Sequence, residues 1–132
     1  MFVNAAYPIM EIVAPNYVAP IILEIGITQF AALAGTYGLG RPAVAGVGPR
    51  LGFALQSEDS TGPATLTTAY LDWSVPPTVP AVFIRRATLV AALGTGIIWS
   101  FPTGLRMGAA TTMVIWGIAS CPACDMWVMV DE

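Results

Sequence analysis

The sequence predicts an all-β chain: a jelly-roll-like β-sandwich of about seven or eight short strands with an extended N-terminal arm. Three observations lead there. Short runs alternate apolar and polar residues at period two. β-Branched and aromatic residues fill those runs. Thirteen glycines and eleven prolines punctuate the 132 residues, leaving little room for helices. No heptad or longer repeat is visible. The expected organisation is an arm over residues 1–17 and a single sandwich domain over 18–132.

Each element follows from its residues. The opening "MFVNAAYPIMEIVAPNYVAP" carries Pro8, Pro15 and Pro20, which block helix continuation and suit extended or edge backbone. It lacks a basic n-region and holds Glu11, so it does not read as a signal peptide. In "IILEIGITQF", Ile21, Leu23, Ile25 and Ile27 share one face, and Glu24, Gly26 and Thr28 the other. Residues 33–49 are glycine-rich and read as a loop or irregular edge. "RLGFALQ" alternates with Leu51, Phe53 and Leu55 on one side; "SEDSTGPA" is a solvent loop.

"TLTTAYLDW", residues 65–73, has strand composition, and "SVPPTVPA" is a rigid connector. "VFIRRATLVAAL" is rich in β-branched residues and reads as a strand. "GIIWSF" is a short strand ended by "PTG". "TTMVIWGI" and "DMWVMVDE" are the clearest late strands, with "ASCPAC" between them as a hairpin turn.

Composition narrows the function. Charged residues are 10%, against about 25% in ordinary domains. A folded chain of 13.8 kDa has a surface of roughly 6,600 Å². Its five basic and eight acidic residues then leave one charge per roughly 500 Å². Hydrophobic residues are 56% and mean hydropathy is +0.73. Such a surface exposes apolar area that marks an interaction site.

Net charge is −3 with five scattered arginines and no lysine, so a nucleic-acid footprint is missing. Histidine is absent, and with it the commonest general base and metal ligand. Residues 87–105 and 107–124 are uncharged but for Arg106 between them, and long enough to cross a bilayer. Their glycines and prolines and the lack of a flanking basic cluster argue against membrane spans.

Individual candidates for chemistry are weak. Cys121 and Cys124 form a C-x-x-C. A redox pair of this kind opens a helix, but here a strand follows, and Asp125 disfavours a thiolate. Zinc needs four ligands, and this chain offers one cysteine pair without histidine. The pair is a free dithiol or a local disulfide. "GLGRPAVAG" lacks the lysine of a phosphate loop. Glu58-Asp59 and Asp131-Glu132 read as solvated charges, and Ser57, Ser60, Ser74, Ser100 and Ser120 have no histidine to activate them. The expectation is a non-enzymatic chain with no cofactor and no metal.

Arg85 and Arg86 are adjacent in a strand and point to opposite faces, with Asp72 or Glu24 as candidate partners. Trp73, Trp99, Trp116 and Trp127 are core residues by default, yet Trp and Arg also anchor interfaces. The expected interaction residues are the aromatics Phe2, Tyr7 and Tyr17, with Arg85, Arg86 and Trp99.

The segment from Arg85 to Glu132 resembles the tail of small structural proteins encoded by tailed bacteriophages. The likeness rests on Glu24-Ile25-Gly26-Ile27, on the G-x-x-W-x-F-x-x-G-L stretch from Gly96 to Leu105, and on a last strand closed by Asp131-Glu132. It covers about residues 18–132 and leaves out the C-x-x-C. The resemblance implies a virion component on the capsid surface, a decoration (cement) protein. Such a protein forms a homo-oligomer, with a trimer favoured, and binds the major capsid protein or other virion proteins. It touches neither nucleic acid nor membrane. A tail or baseplate component is the nearest variant. A holin-like membrane protein and a small carbohydrate-binding module are the competing classes.

Overall fold

The computed structural model describes residues 7–56, 61–119 and 121–132. Among them there is no helix. Nine strands run in chain order: β1 (Tyr7–Val13), β2 (Ile21–Gln29), β3 (Gly35–Gly40), β4 (Leu51–Ala54), β5 (Thr68–Leu71), β6 (Phe83–Leu89), β7 (Gly96–Arg106), β8 (Thr112–Ala119) and β9 (Cys124–Asp131). They form a six-stranded sheet, β4-β5-β1-β8-β3-β6, and a three-stranded sheet, β7-β2-β9. Every pairing is antiparallel. The all-β, two-sheet expectation therefore holds. The sheets divide six and three, whereas a jelly roll builds eight strands from two Greek keys.

The core lies between the sheets. Ile12 and Met113 project from the larger one, Ile25, Ile27 and Phe101 from the smaller. Tyr37 is buried with them, and Gln29 Nε2 or Oε1 meets its Oη at 3.1 Å. With Oε1 toward Tyr37, the Gln29 amide nitrogen donates to the carbonyls of Leu33 and Val90 at 3.2 and 3.3 Å. Burial pushes the Tyr37 phenol up to about 12.

Several sequence expectations change. Tyr7–Val13 is not an arm but an interior strand between β5 and β8. Met10 and Ile12 face the core, and Pro8 is tolerated because the register with β8 shifts between Pro8 and Met10. Pro15 and Pro20 lie beyond the strand. The glycine-rich Gly35–Gly40 is likewise an interior strand, between β8 and β6. Its glycines make room for neighbours: a Cβ on Gly38 would sit 2.5 Å from Phe83 Cδ1.

The alternation of β2 is broken by a bulge at Leu23, where the register with both neighbours shifts. Ile22, rather than Ile21 or Leu23, joins Ile25 and Ile27 in the core. Opposite the bulge, β7 continues through Pro102-Thr103-Gly104 instead of stopping at Phe101. An edge strand can carry proline, and β7 pairs only with β2. Gly104 takes a positive φ of 72°, and a Cβ there would lie 2.1 Å from Ile21 Cγ2.

β8 and β9 do not form a hairpin. β8 lies within the large sheet and β9 at the edge of the small one, so Cys121–Ala123 carries the chain from one layer to the other. The two uncharged runs long enough for a bilayer are occupied mainly by β7 and β8. No helix among the described residues is long and apolar enough to cross a membrane.

A second, smaller core lies on the outer side of the large sheet. Glu11 points there from β1, fully buried. Its carboxylate accepts from Trp73 Nε1 at 2.8 Å and from Gly46 N at 3.1 Å. Arg50 Nη1 stands 3.5 Å from it and donates to Gly46 O at 2.7 Å. The Arg50 guanidinium also covers the Tyr70 ring at 3.6 Å. One carboxylate thus fixes the 41–50 and 72–75 segments over the sheet. Gly46 is required here, since its Cβ would fall 2.2 Å from Trp73 Cδ1.

Removing the carboxylate leaves two buried donors without an acceptor, each costing about 1–3 kcal/mol. Glu11→Ala is expected to lose about 3 kcal/mol or more of stability in urea denaturation. Trp73→Phe, which removes one donor and keeps most of the ring, is expected to lose about half of that. Equal losses for the two variants, or none, would show that the carboxylate does not organise this layer.

Candidate functional site

The candidate site is the open side of the sandwich along β9. In "CDMWVMVD", Cys124, Met126, Val128 and Val130 are partly buried against the core, and Asp125, Trp127, Met129 and Asp131 are exposed. β9 pairs with β2 on one side and, among the described residues, with no strand on the other. Across the gap lie β4 and β5, at one end of the large sheet, which line the same cavity as β9.

Two adjoining cavities occupy the gap, of about 650 and 520 Å³. They share Leu55, Gln56, Trp127 and Val128 as walls and together follow the length of β9. Phe53 and Met126 add apolar wall to the larger one, and Asp72 and Asp125 also line it.

Trp127 is the most prominent group of this edge, 41% exposed. A Cβ on Gly26 would lie 2.0–2.2 Å from three consecutive atoms of its six-membered ring, so the ring rests face-on over that glycine. Its Nε1 donates to Glu24 Oε1 at 3.1 Å, which fixes the ring in the plane of the sheet. Phe53 and Met129, which line these cavities, are also exposed.

At the far end, Glu132 joins the two walls. Its carboxylate accepts from Leu66 N at 2.8 Å and Thr67 N at 2.5 Å. Partial burial works to raise this carboxyl, but the hydrogen bonds from Leu66 and Thr67 outweigh it and hold the group below its ordinary value.

Cys121 and Cys124 line the larger cavity as free thiols. Burial pushes Cys121 up to about 11, with repulsion from Cys124 adding to it and hydrogen bonding with the Thr36 backbone opposing it. Burial also raises Cys124. Thiols in this state are poor nucleophiles. No group of three or more His, Cys, Asp or Glu residues converges on a common point among the described residues.

The residues singled out from sequence scatter. Phe2 lies outside the described residues, as do Glu58, Asp59 and Ser120. Tyr7 is half-buried in β1, and Tyr17 is 93% exposed on the β1–β2 connection. Trp99 is a core residue, 6% exposed, because β7 turns it between the sheets; it cannot anchor a partner from there. Arg85 and Arg86 are exposed on β6, at the other end of the large sheet from the groove. Their guanidinium groups lie over different rings, Phe101 at 5.2 Å and Phe83 at 5.9 Å. Sequence reasoning missed Trp127, Phe53 and Asp125 as one surface. The alternation of "CDMWVMVD" was the available signal, since it puts Asp125, Trp127 and Met129 on one face.

Searches against protein families, curated proteins and solved structures found no match to this chain.

Two measurements probe the groove. At pH 8, alkylation of the folded protein by iodoacetamide is expected to be about 100-fold slower than that of an ordinary thiol, and to recover on unfolding; fast labelling of the folded protein would contradict the buried setting. Because the Glu132 carboxyl is lowered by folding, its contribution is present above the ordinary value of 4.5 and is lost as pH falls through the folded value. Glu132→Gln is therefore expected to be less stable than the parent at pH 6, with the difference shrinking toward pH 3. A constant difference across that range would be the contrary result.

Proposed function

We propose that this chain is a non-enzymatic structural subunit, a capsid decoration protein that self-associates and binds the major capsid protein lattice of a tailed bacteriophage. One observation carries the assembly part of the reading. Among the described residues β9 has one unpaired edge, beside a groove lined by Phe53, Leu55, Met126 and Val128, and the same strand exposes Trp127 and Met129. Proteins that stay monomeric shield such edges with charge, bulges or a covering element. Here acidic groups appear only near the ends, at Asp125 and Asp131, and the middle is aromatic and apolar. Burying this surface against protein satisfies both the backbone groups and the apolar side chains.

The scarcity of charge points the same way. The surface of 7163 Å² is close to that of an ordinary folded chain of this mass, so the unusual feature is its chemistry and not its extent. The assignment to a capsid rests on the resemblance to phage structural proteins. A tail or baseplate subunit would use the same surface.

Antibody raised to the purified chain is expected to label particles prepared from a culture carrying the gene, on the head in immuno-electron microscopy. Label on tails would select the baseplate variant. Particles that lack the chain altogether would end the virion reading.

A further inference from the structure

The groove beside β9 has a complement on the same chain. Among the described residues the one ion pair is Arg50 with Glu11, so neither Asp72 nor Asp125, which line the groove, is ion-paired within that set; Asp125 Oδ1 accepts from Met126 N at 3.0 Å. The complement is the edge of β6, the last strand at the opposite end of the large sheet. It carries the chain's only adjacent pair of arginines, both exposed.

Register places that pair on two faces. Arg85 pairs with Leu39, whose side chain is in the core, and Arg86 with Gly38, whose outer side is covered by Phe83. The two acidic residues that line the groove come from its two sides, Asp125 from β9 and Asp72 from the end of β5. The edges also match in length, with seven residues in β6 and eight in β9. Of the other two edges, β4 carries no charged residue and β7 carries only Arg106.

We propose that the β6 edge of one copy docks along the β9 groove of the next, with Arg85 and Arg86 meeting Asp72 and Asp125. The inference deepens the assembly reading above and rests on it. The contact joins two different surfaces, so it is head-to-tail and closes into a ring, of which a trimer is one size, or propagates as a filament. Backbone groups of the two open edges pair across it, and the arginines set direction and register.

Charge reversal tests it. Sedimentation velocity compares the parent chain with Arg86→Asp, Asp125→Arg and the double variant, with circular dichroism melting to check the fold. Each single reversal is expected to weaken self-association about tenfold or more, and the double reversal to bring it back near the parent level. The parent association is expected to weaken between 50 mM and 1 M salt. Singles that associate like the parent, or a folded double variant that fails to recover, would overturn the docking mode while leaving assembly by another surface intact. A groove variant that keeps its oligomer but loses binding to phage heads would also overturn it, and would assign the groove to the shell protein. A parent chain monomeric at all concentrations would remove the assembly reading itself.

Discussion

The burial of the Glu11 carboxylate is the constraint on which the large sheet depends. The strand that carries it supplies Met10 and Ile12 to the main core from its other face. A charge in that position is tolerated only with donors around it. Trp73, Gly46 and Arg50 provide them, and in doing so draw two long connections across the outer face. The middle of the sheet is thereby covered on both faces. The same arrangement accounts for one of the few arginines: Arg50 neutralises the buried carboxylate and stacks on Tyr70, so it is not free for a partner.

With one side of the large sheet closed by loops and the other by the small sheet, apolar surface is left mainly at edges and loop tips. A six-stranded layer facing a three-stranded one leaves its ends uncovered. The groove along β9 is a direct result of that mismatch, because no strand of the small sheet extends over β4 and β5. The composition and the topology therefore express one property. A chain so poor in ionic groups has too little charge to protect every edge, and the wider sheet leaves edges to protect.

Much of the fold was legible in the sequence because period two survives in most strands. Ile25 and Ile27, the late strands around Trp116 and Trp127, and the connector at Pro76-Pro77 all followed from local pattern. What was not legible depends on partners distant in sequence. Gly35–Gly40 looks like a loop until the Phe83 ring that fills the space beside Gly38 is known. Tyr7–Val13 looks like an arm because its prolines dominate, while the shift in register that accommodates Pro8 is set by β8. The assumption that neighbouring strands pair failed at Cys121–Cys124, where the chain changes sheets. The same limit hid the groove: residues that line it, Phe53 and Trp127, come from strands far apart in the chain, and Trp127, read as core by default, is exposed although the alternation of β9 carried that signal.

The crossing of the chain between layers at Cys121–Ala123 has a kinetic consequence. β2 occupies the centre of the small sheet, yet β9 pairs with it from about a hundred positions downstream, as the Glu24–Trp127 contact spans 103 residues. β7, its other neighbour, is also remote. Loop-closure entropy must be overcome before either pairing is rewarded, which places such a topology among slow folders. During synthesis, β2 leaves the ribosome long before the strands that flank it. Its isoleucines spend that interval without their final neighbours, open to premature association with other nascent chains.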